Sequence, residues 1–242
     1  MAYRSGTSAP AFAMRQILAG HRRRLRAALV AIALLGAASV GAQAQGDEFA
    51  TNLQLLAAVR HGDAGAIDRA LHDGASVNFR NRLGETPLLA VLKKKRFDLA
   101  QSLLDRGADV NEAAINGITP LMAAAYAGNA EFVRKLLDKG ADPSPVDRVG
   151  KTAMTYAAGE GHTDVVKLLV AHGVDPNAIY RNKLTALMWA AGYGQTDTVR
   201  ALLDAGARSD LTDDRGKTAL DMARDYKHTQ TVAVLEAATS RR

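Results

Sequence analysis

None of the 242 residues is a cysteine, and that one absence removes disulfide staples, thiolate zinc sites, cysteine nucleophiles and a lipid-bearing N-terminal cysteine together. Stability therefore has to come from packing. The sequence also lacks a His-x-x-x-His pair, a phosphate-binding glycine loop and a nucleophile elbow, which takes away the motif-borne routes to catalysis. His61, His72, His162, His172 and His228 are scattered along the chain with no carboxylate signature beside them. The Asp213-Asp214 turn lacks the spaced oxygen ligands of a calcium loop and reads as a solvated turn. Catalytic residues, metal and cofactor are all expected to be absent, and the chain is read as a non-enzyme.

Acid is missing from the first 44 residues, which carry Arg4, Arg15, Arg22, Arg23, Arg24 and Arg26. Taking those six from the 31 basic residues leaves 25 against 25 acidic ones, so the net charge of +6 belongs to this segment. A neutral remainder argues against nucleic acid as partner. The apolar run over 27–40 is fourteen residues, short of the about 20 that span a bilayer. Preceded by arginines and followed by Ala42-Gln43-Ala44, it reads as a signal peptide over 1–44, cut before Gln45, with no stable membrane anchor afterwards. Either Met1 or Met14 could begin it. Arg22-Arg23-Arg24-Leu25 weakly resembles a twin-arginine signal, but the flanking residues match poorly and the general secretory route is preferred. The expected location is periplasmic or secreted.

What the rest has in abundance is self-similarity. Thr86, Thr119, Thr152, Thr185 and Thr218 are each 33 residues apart, as are Gly74, Gly107, Gly140, Gly173 and Gly206, and again Gly128, Gly161 and Gly194. Three columns in register mark a repeat architecture. Thr86-Pro87-Leu88 and Thr119-Pro120-Leu121 place a hydroxyl cap before a proline at the first helical position. A short alanine-rich helix follows, then glycine, then a second helix with apolar residues at i, i+3 and i+4, as in Val133, Leu136 and Leu137. Glycines 84, 117, 150 and 216 mark hairpin-like turns between units. One unit cannot bury its own apolar face, so neighbours must stack.

Gly-x-Thr-Pro-Leu, Ala-Ala, Val-x-x-Leu-Leu and Gly-Ala-Asp, in that order, resemble the ankyrin repeat over roughly 52–238. The resemblance implies an all-α solenoid of paired antiparallel helices with about six units, near 52–80, 81–113, 114–146, 147–179, 180–212 and 213–238, the first and last as caps. A linker over 45–51 and a tail over 239–242 complete the expected organisation. Proline gives way to alanine at Ala153, Ala186 and Ala219, and Lys183 and Lys95 stand where the family carries glycine. A lysine keeping the glycine backbone there would carry about 1 kcal/mol of left-handed strain.

The resemblance also implies a concave binding face made of turn tips and first helices. The tip columns are Arg82, Ile115, Arg148, Arg181 and Asp214, and Glu85, Ile118, Lys151, Leu184 and Lys217, with Val149 and Arg215 beside them. The first-helix column is Lys94, Ala127, Glu160, Tyr193 and Tyr226, flanked by Tyr126. Arginine and tyrosine are enriched at binding hot spots, and Ile115, Ile118, Val149 and Leu184 would be exposed with no core to serve. His162 reads as structural, Lys93-Lys94-Lys95-Arg96 as a solvated turn, and the column Tyr156, Trp189 and Met222 as packing between units. The expected function is an exported, non-catalytic scaffold that binds another protein, monomeric if anything. A secreted effector or toxin-immunity protein is the alternative.

Overall fold

A computed structural model describes residues 48–240; the expected signal peptide and its cleavage point lie outside the described residues. The chain divides into two compact units, Met1–Thr51 and Asn52–Arg242. Of the first, only 48–51 are described, and they are helical.

The second unit is a series of helix pairs with no strand among the described residues. A first pair is α1 (52–61) and α2 (Ala64–His72). There follow α3 (Pro87–Lys93) with α4 (Phe97–Asp105), α5 (Pro120–Ala127) with α6 (Ala130–Asp138), and α7 (Ala153–Glu160) with α8 (Thr163–Ala171). The last pairs are α9 (Ala186–Gly192) with α10 (Thr196–Asp204) and α11 (Ala219–Asp225) with α12 (Thr229–Thr239). First helices α3, α5, α7, α9 and α11 pack in succession, and α6, α8, α10 and α12 form a parallel row behind them. This is the all-α repeat solenoid the period predicts.

Each first helix starts where the sequence places its cap. The hydroxyls of Thr86, Thr119, Thr152, Thr185 and Thr218 accept from the amide three residues on, at 3.2 to 3.3 Å. Four of these threonines are buried, so water cannot replace the bond and the cap is obligatory. Alanines 124, 125, 157, 158, 190 and 191 are fully buried between first helices. Behind them Leu103, Leu136, Leu169 and Leu202 form a fully buried column on the second helices.

Glycine ends α5 and α7 at Gly128 and Gly161, with φ of 77° and 79°. The expected strain at the glycine-replacing lysines is present: Lys95 and Lys183 keep positive φ at 58° and 56°. Asn182 and Lys227 join them at 59° and 60°, and Asn182-Lys183 sit in a short 3-10 turn, Arg181–Lys183, that replaces the regular tip.

Three sets of polar bonds tie neighbouring units. The side chains of His162, Gln195 and His228 reach back to the carbonyls of Tyr126, Gly159 and Gly192 at 3.0 to 3.1 Å, so His162 is indeed structural. Asn78, Asn111 and Asn177 accept from the amides of Asp109, Asp142 and Arg208 at 2.7 to 2.9 Å. Between tips, the amides of Ile115, Arg148 and Asp214 donate to the carbonyls of Leu83, Asn116 and Asn182.

Two of these ladders each lose one rung. Ser144 stands in the asparagine column and turns to Asp142 Oδ1 at 2.6 Å, and no bond joins it to Asp175. The tip bond from Arg181 to Val149 is likewise missing among the described residues, because the 3-10 turn re-aims that amide. Ser144→Asn is expected to restore one rung and to stabilise the chain by about 1 kcal/mol, read as a higher midpoint in equilibrium urea unfolding with an unchanged slope.

Candidate functional site

The turn tips and the exposed sides of the first helices share one face, because every unit repeats the same tip-to-helix geometry. Three cavities open on it. One of about 680 Å³ lies between α1, the first tip and α3, lined by Leu53, Leu56, Leu83, Glu85 and Lys94. A second, about 230 Å³, lies between α3 and α5 and is lined by Ile118, Met122, Tyr126 and Tyr156. The third, about 500 Å³, lies between α9 and α11, lined by Trp189, Tyr193, Arg215, Tyr226 and His228.

An aromatic shelf runs across the middle of this face. Tyr126 meets Tyr156 edge-on at 5.8 Å between ring centroids, and Trp189 stacks on Tyr193 at 5.9 Å with 16° between planes. Lys151 Nζ bridges the two pairs, 4.3 Å from the Trp189 ring and 5.1 Å from that of Tyr156, a cation–π arrangement that holds the ammonium without an acid. Tyr156 donates its hydroxyl proton to Asp147 Oδ2 at 2.5 Å. Burial and the Asp147 carboxylate push the Tyr156 phenol far above its ordinary range, so it stays protonated. Asp147 Oδ1 in turn accepts from the amides of Val149 and Lys151 at 2.9 Å. The shelf is therefore clamped to its own tip before any partner arrives.

The expected contact residues divide into three groups. Arg82, Arg148, Arg181, Ile115, Glu160, Tyr126, Tyr193 and Tyr226 are exposed on this face. Lys94, Lys151, Lys217 and Arg215 are committed within the chain: Lys94 to the Arg60 carbonyl, Lys151 to the rings, Lys217 to Asp225 and Arg215 to Asp213. Glu85, Ile118 and Leu184 turn inward. Ile118 and Leu184 are half-buried against the core, which corrects the expectation that they serve no core; Ile115 and Val149 are exposed as expected, at 55% and 62%. Glu85 is buried and holds Lys93 at 2.5 Å.

Trp189 and Tyr156 were expected to fill space between units. They do pack on the core, yet their outer faces build the shelf; Leu83, exposed at 63%, lines the separate cavity at the first tip. Nothing in the sequence distinguishes a ring that is buried on both sides from one buried on one side.

Burial raises the Glu85 carboxyl, but hydrogen bonds from Lys93 and Asn81 and the Lys93 charge outweigh it and hold the group below its usual value. A carboxylate with a depressed folded value contributes stability above its unfolded value of about 4.3, lost as pH falls through the folded one. Wild-type stability is thus expected to hold from neutral pH to about 4.5 and then to fall. Glu85→Gln should lower the neutral-pH plateau and flatten the acid limb, checked by urea midpoints across that range.

Among the described residues no cluster of histidine, aspartate and glutamate is placed to hold a metal ion, and no helix is long and apolar enough to cross a membrane.

A family model described as ankyrin repeats, in three copies, matches residues 55–147, 89–180 and 178–239. No curated protein matches the chain.

Proposed function

Because the chain belongs to the ankyrin-repeat family, whose repeats generally mediate protein–protein interaction and are typically non-catalytic, we propose that it is an exported scaffold binding a partner protein through its tip-and-first-helix face. The observation that carries this reading is the half-exposed aromatic shelf. Tyr126 and Tyr193 remain 49% and 56% exposed, while the rings beside them are fixed by stacking, by Lys151 and by the Asp147 clamp. Rigid amphipathic rings give contact area at small entropic cost, the character of a hot spot. Cavities on either side of the shelf supply places for a partner's side chains.

Export rests on the 1–44 leader, and cleavage before Gln45 is the specific expectation. N-terminal sequencing of the protein recovered from periplasm or medium checks it; a full-length cytosolic protein would sink it. For the face, Arg148→Ala, Arg181→Ala and Tyr193→Ala combined are expected to weaken capture of the partner by at least a hundredfold, about 2.7 kcal/mol. All three side chains are exposed and only the Tyr193 stack on Trp189 is lost with them, so the variant should stay folded and lose no more than about 1 kcal/mol of stability. Undiminished capture would show that the face is elsewhere.

A further inference from the structure

Charge on this repeat stack is sorted by face. The acids of the first turns of α4, α6, α8 and α10, namely Asp98, Glu131, Asp164 and Asp197, form an exposed column on the second-helix row, where the helix dipole favours them; three are paired there with bases, Asp98 with Arg96, Glu131 with Lys135 and Asp197 with Arg200, so the sorting lies in the bases left unpaired on the tip face. On the tip face the acids are mostly consumed. Glu85 is held by Lys93, Asp213 by Arg215 and Asp225 by Lys217, and Asp147 is buried under Tyr156. Exposed Glu160 and Asp214 are the exceptions. The bases Arg82, Arg148 and Arg181, by contrast, are exposed and make no ion pair among the described residues, and Lys151 rests on rings rather than on an acid. Although the chain beyond residue 44 is neutral in sum, this face is positive.

From that sorting we infer that the partner, on the reading that this face docks protein, presents an extended acidic segment with aromatic or aliphatic residues between its carboxylates. Arginine is suited to this task because its fork takes a carboxylate bidentately and it stays charged at any pH of interest. The periodicity fits as well. Neighbouring units lie about 10 Å apart, the spacing of packed helices, and a peptide in the polyproline II conformation, with about three residues per turn and about 3.1 Å rise each, returns every third side chain to the same side after nearly that distance. A carboxylate at every third position would meet Arg148 and Arg181 in turn, and the second unit along would reach Arg82 across the Ile115 tip. Residues between the carboxylates would fall on the shelf and into the flanking cavities. A flat phospholipid surface would satisfy the charge but could not enter the cavities beside the shelf, and the neutral sum of the chain beyond residue 44 argues against nucleic acid.

The test is fluorescence anisotropy of the purified full chain with labelled peptides made of four copies of Glu-Ser-Tyr, Gln-Ser-Tyr or Lys-Ser-Tyr, at roughly 50 and 300 mM salt. The glutamate peptide should bind at least tenfold tighter than the glutamine peptide at low salt, with the gap narrowing at high salt. Arg82→Glu, Arg148→Glu and Arg181→Glu together should remove that preference and turn it toward the lysine peptide. All forms keep the N-terminal arginines, so the change reports the tips alone. Asp98→Lys with Asp164→Lys, on the other row, should leave binding unaltered, and circular dichroism should match wild type throughout. Equal binding of the glutamate and glutamine peptides, or indifference to reversal of the arginines, overturns the inference. So does co-sedimentation with phosphatidylglycerol vesicles when the glutamate peptide fails to bind. Should partner capture depend on Tyr193 while acidic peptides are ignored, the face docks protein of another chemistry; if capture is insensitive to Arg148, Arg181 and Tyr193, the face itself is misassigned.

Discussion

Leu169→Ala is expected to destabilise the chain by about 3 kcal/mol, the largest effect of any single truncation considered. The side chain is completely buried in α8, which packs on α7 in its own unit and on α6 and α10 in the units before and after. A cavity there cannot be closed by moving one neighbour without opening the interface to the other. In a linear stack stability is approximately a sum over units and their interfaces, so the loss falls on two interfaces at once. Leu137→Ala supplies the contrast. Leu137 is only partly buried against the core, and about 1 kcal/mol is expected there. Urea midpoints for the two variants, at constant slope, measure the difference; equal losses would mean that the α6–α8–α10 row is not the shared core.

Gly128→Ala should cost about 2 to 3 kcal/mol, more than any left-handed penalty alone. Gly128 has φ of 77°, and a Cβ there would lie 2.5 Å from the His162 ring. The ring would have to leave the Tyr126 carbonyl, breaking the bond between the two units. Gly140 separates the two contributions. It too has positive φ, at 83°, but a Cβ on it meets nothing within 4 Å, so Gly140→Ala reports the backbone alone at about 1 kcal/mol. If the extra loss comes from the rung, Gly128→Ala combined with His162→Ala should fall well short of the sum of the two single effects. Full additivity would argue that the ring is not the obstacle.

These positions show how much of the fold the sequence carries in readable form. The threonine caps and the glycine columns are legible because each answers a local demand of the backbone, a bond for a buried amide or a φ that a side chain resists. Lys95 and Lys183 could be flagged by their column, and the structure shows both in the strained conformation. The 3-10 turn around Asn182 was not legible, and neither was the loss of the tip bond between Val149 and Arg181 that accompanies it. The rungs made by Gln195 and His228 follow a column, but a glutamine and a histidine at one position do not look alike until both are seen to reach a carbonyl of the preceding unit.

The face was legible in outline and not in detail. Periodicity is enough to align Arg82, Arg148 and Arg181, or Tyr193 and Tyr226, along one side. It does not reveal that Glu85 turns inward to Lys93, that Lys217 and Arg215 spend their charge on Asp225 and Asp213, or that Ile118 and Leu184 lean on the core. Two of those pairs, Glu85 with Lys93 and Lys217 with Asp225, lie eight residues apart and meet only when a tip folds over its own helix. Trp189 and Tyr156 show the same limit, because one side of each ring serves the core and the other the surface.

Site-specific photo-cross-linking in the cell tests the docking face most directly. With a benzoyl-phenylalanine at Tyr193 or Tyr126, a discrete adduct with one partner is expected, and with the same probe at Glu131 or Asp164 on the second-helix row, none. Adducts from Glu131 or Asp164 that are missing from Tyr126 and Tyr193 would contradict the account and place the working surface on the opposite row.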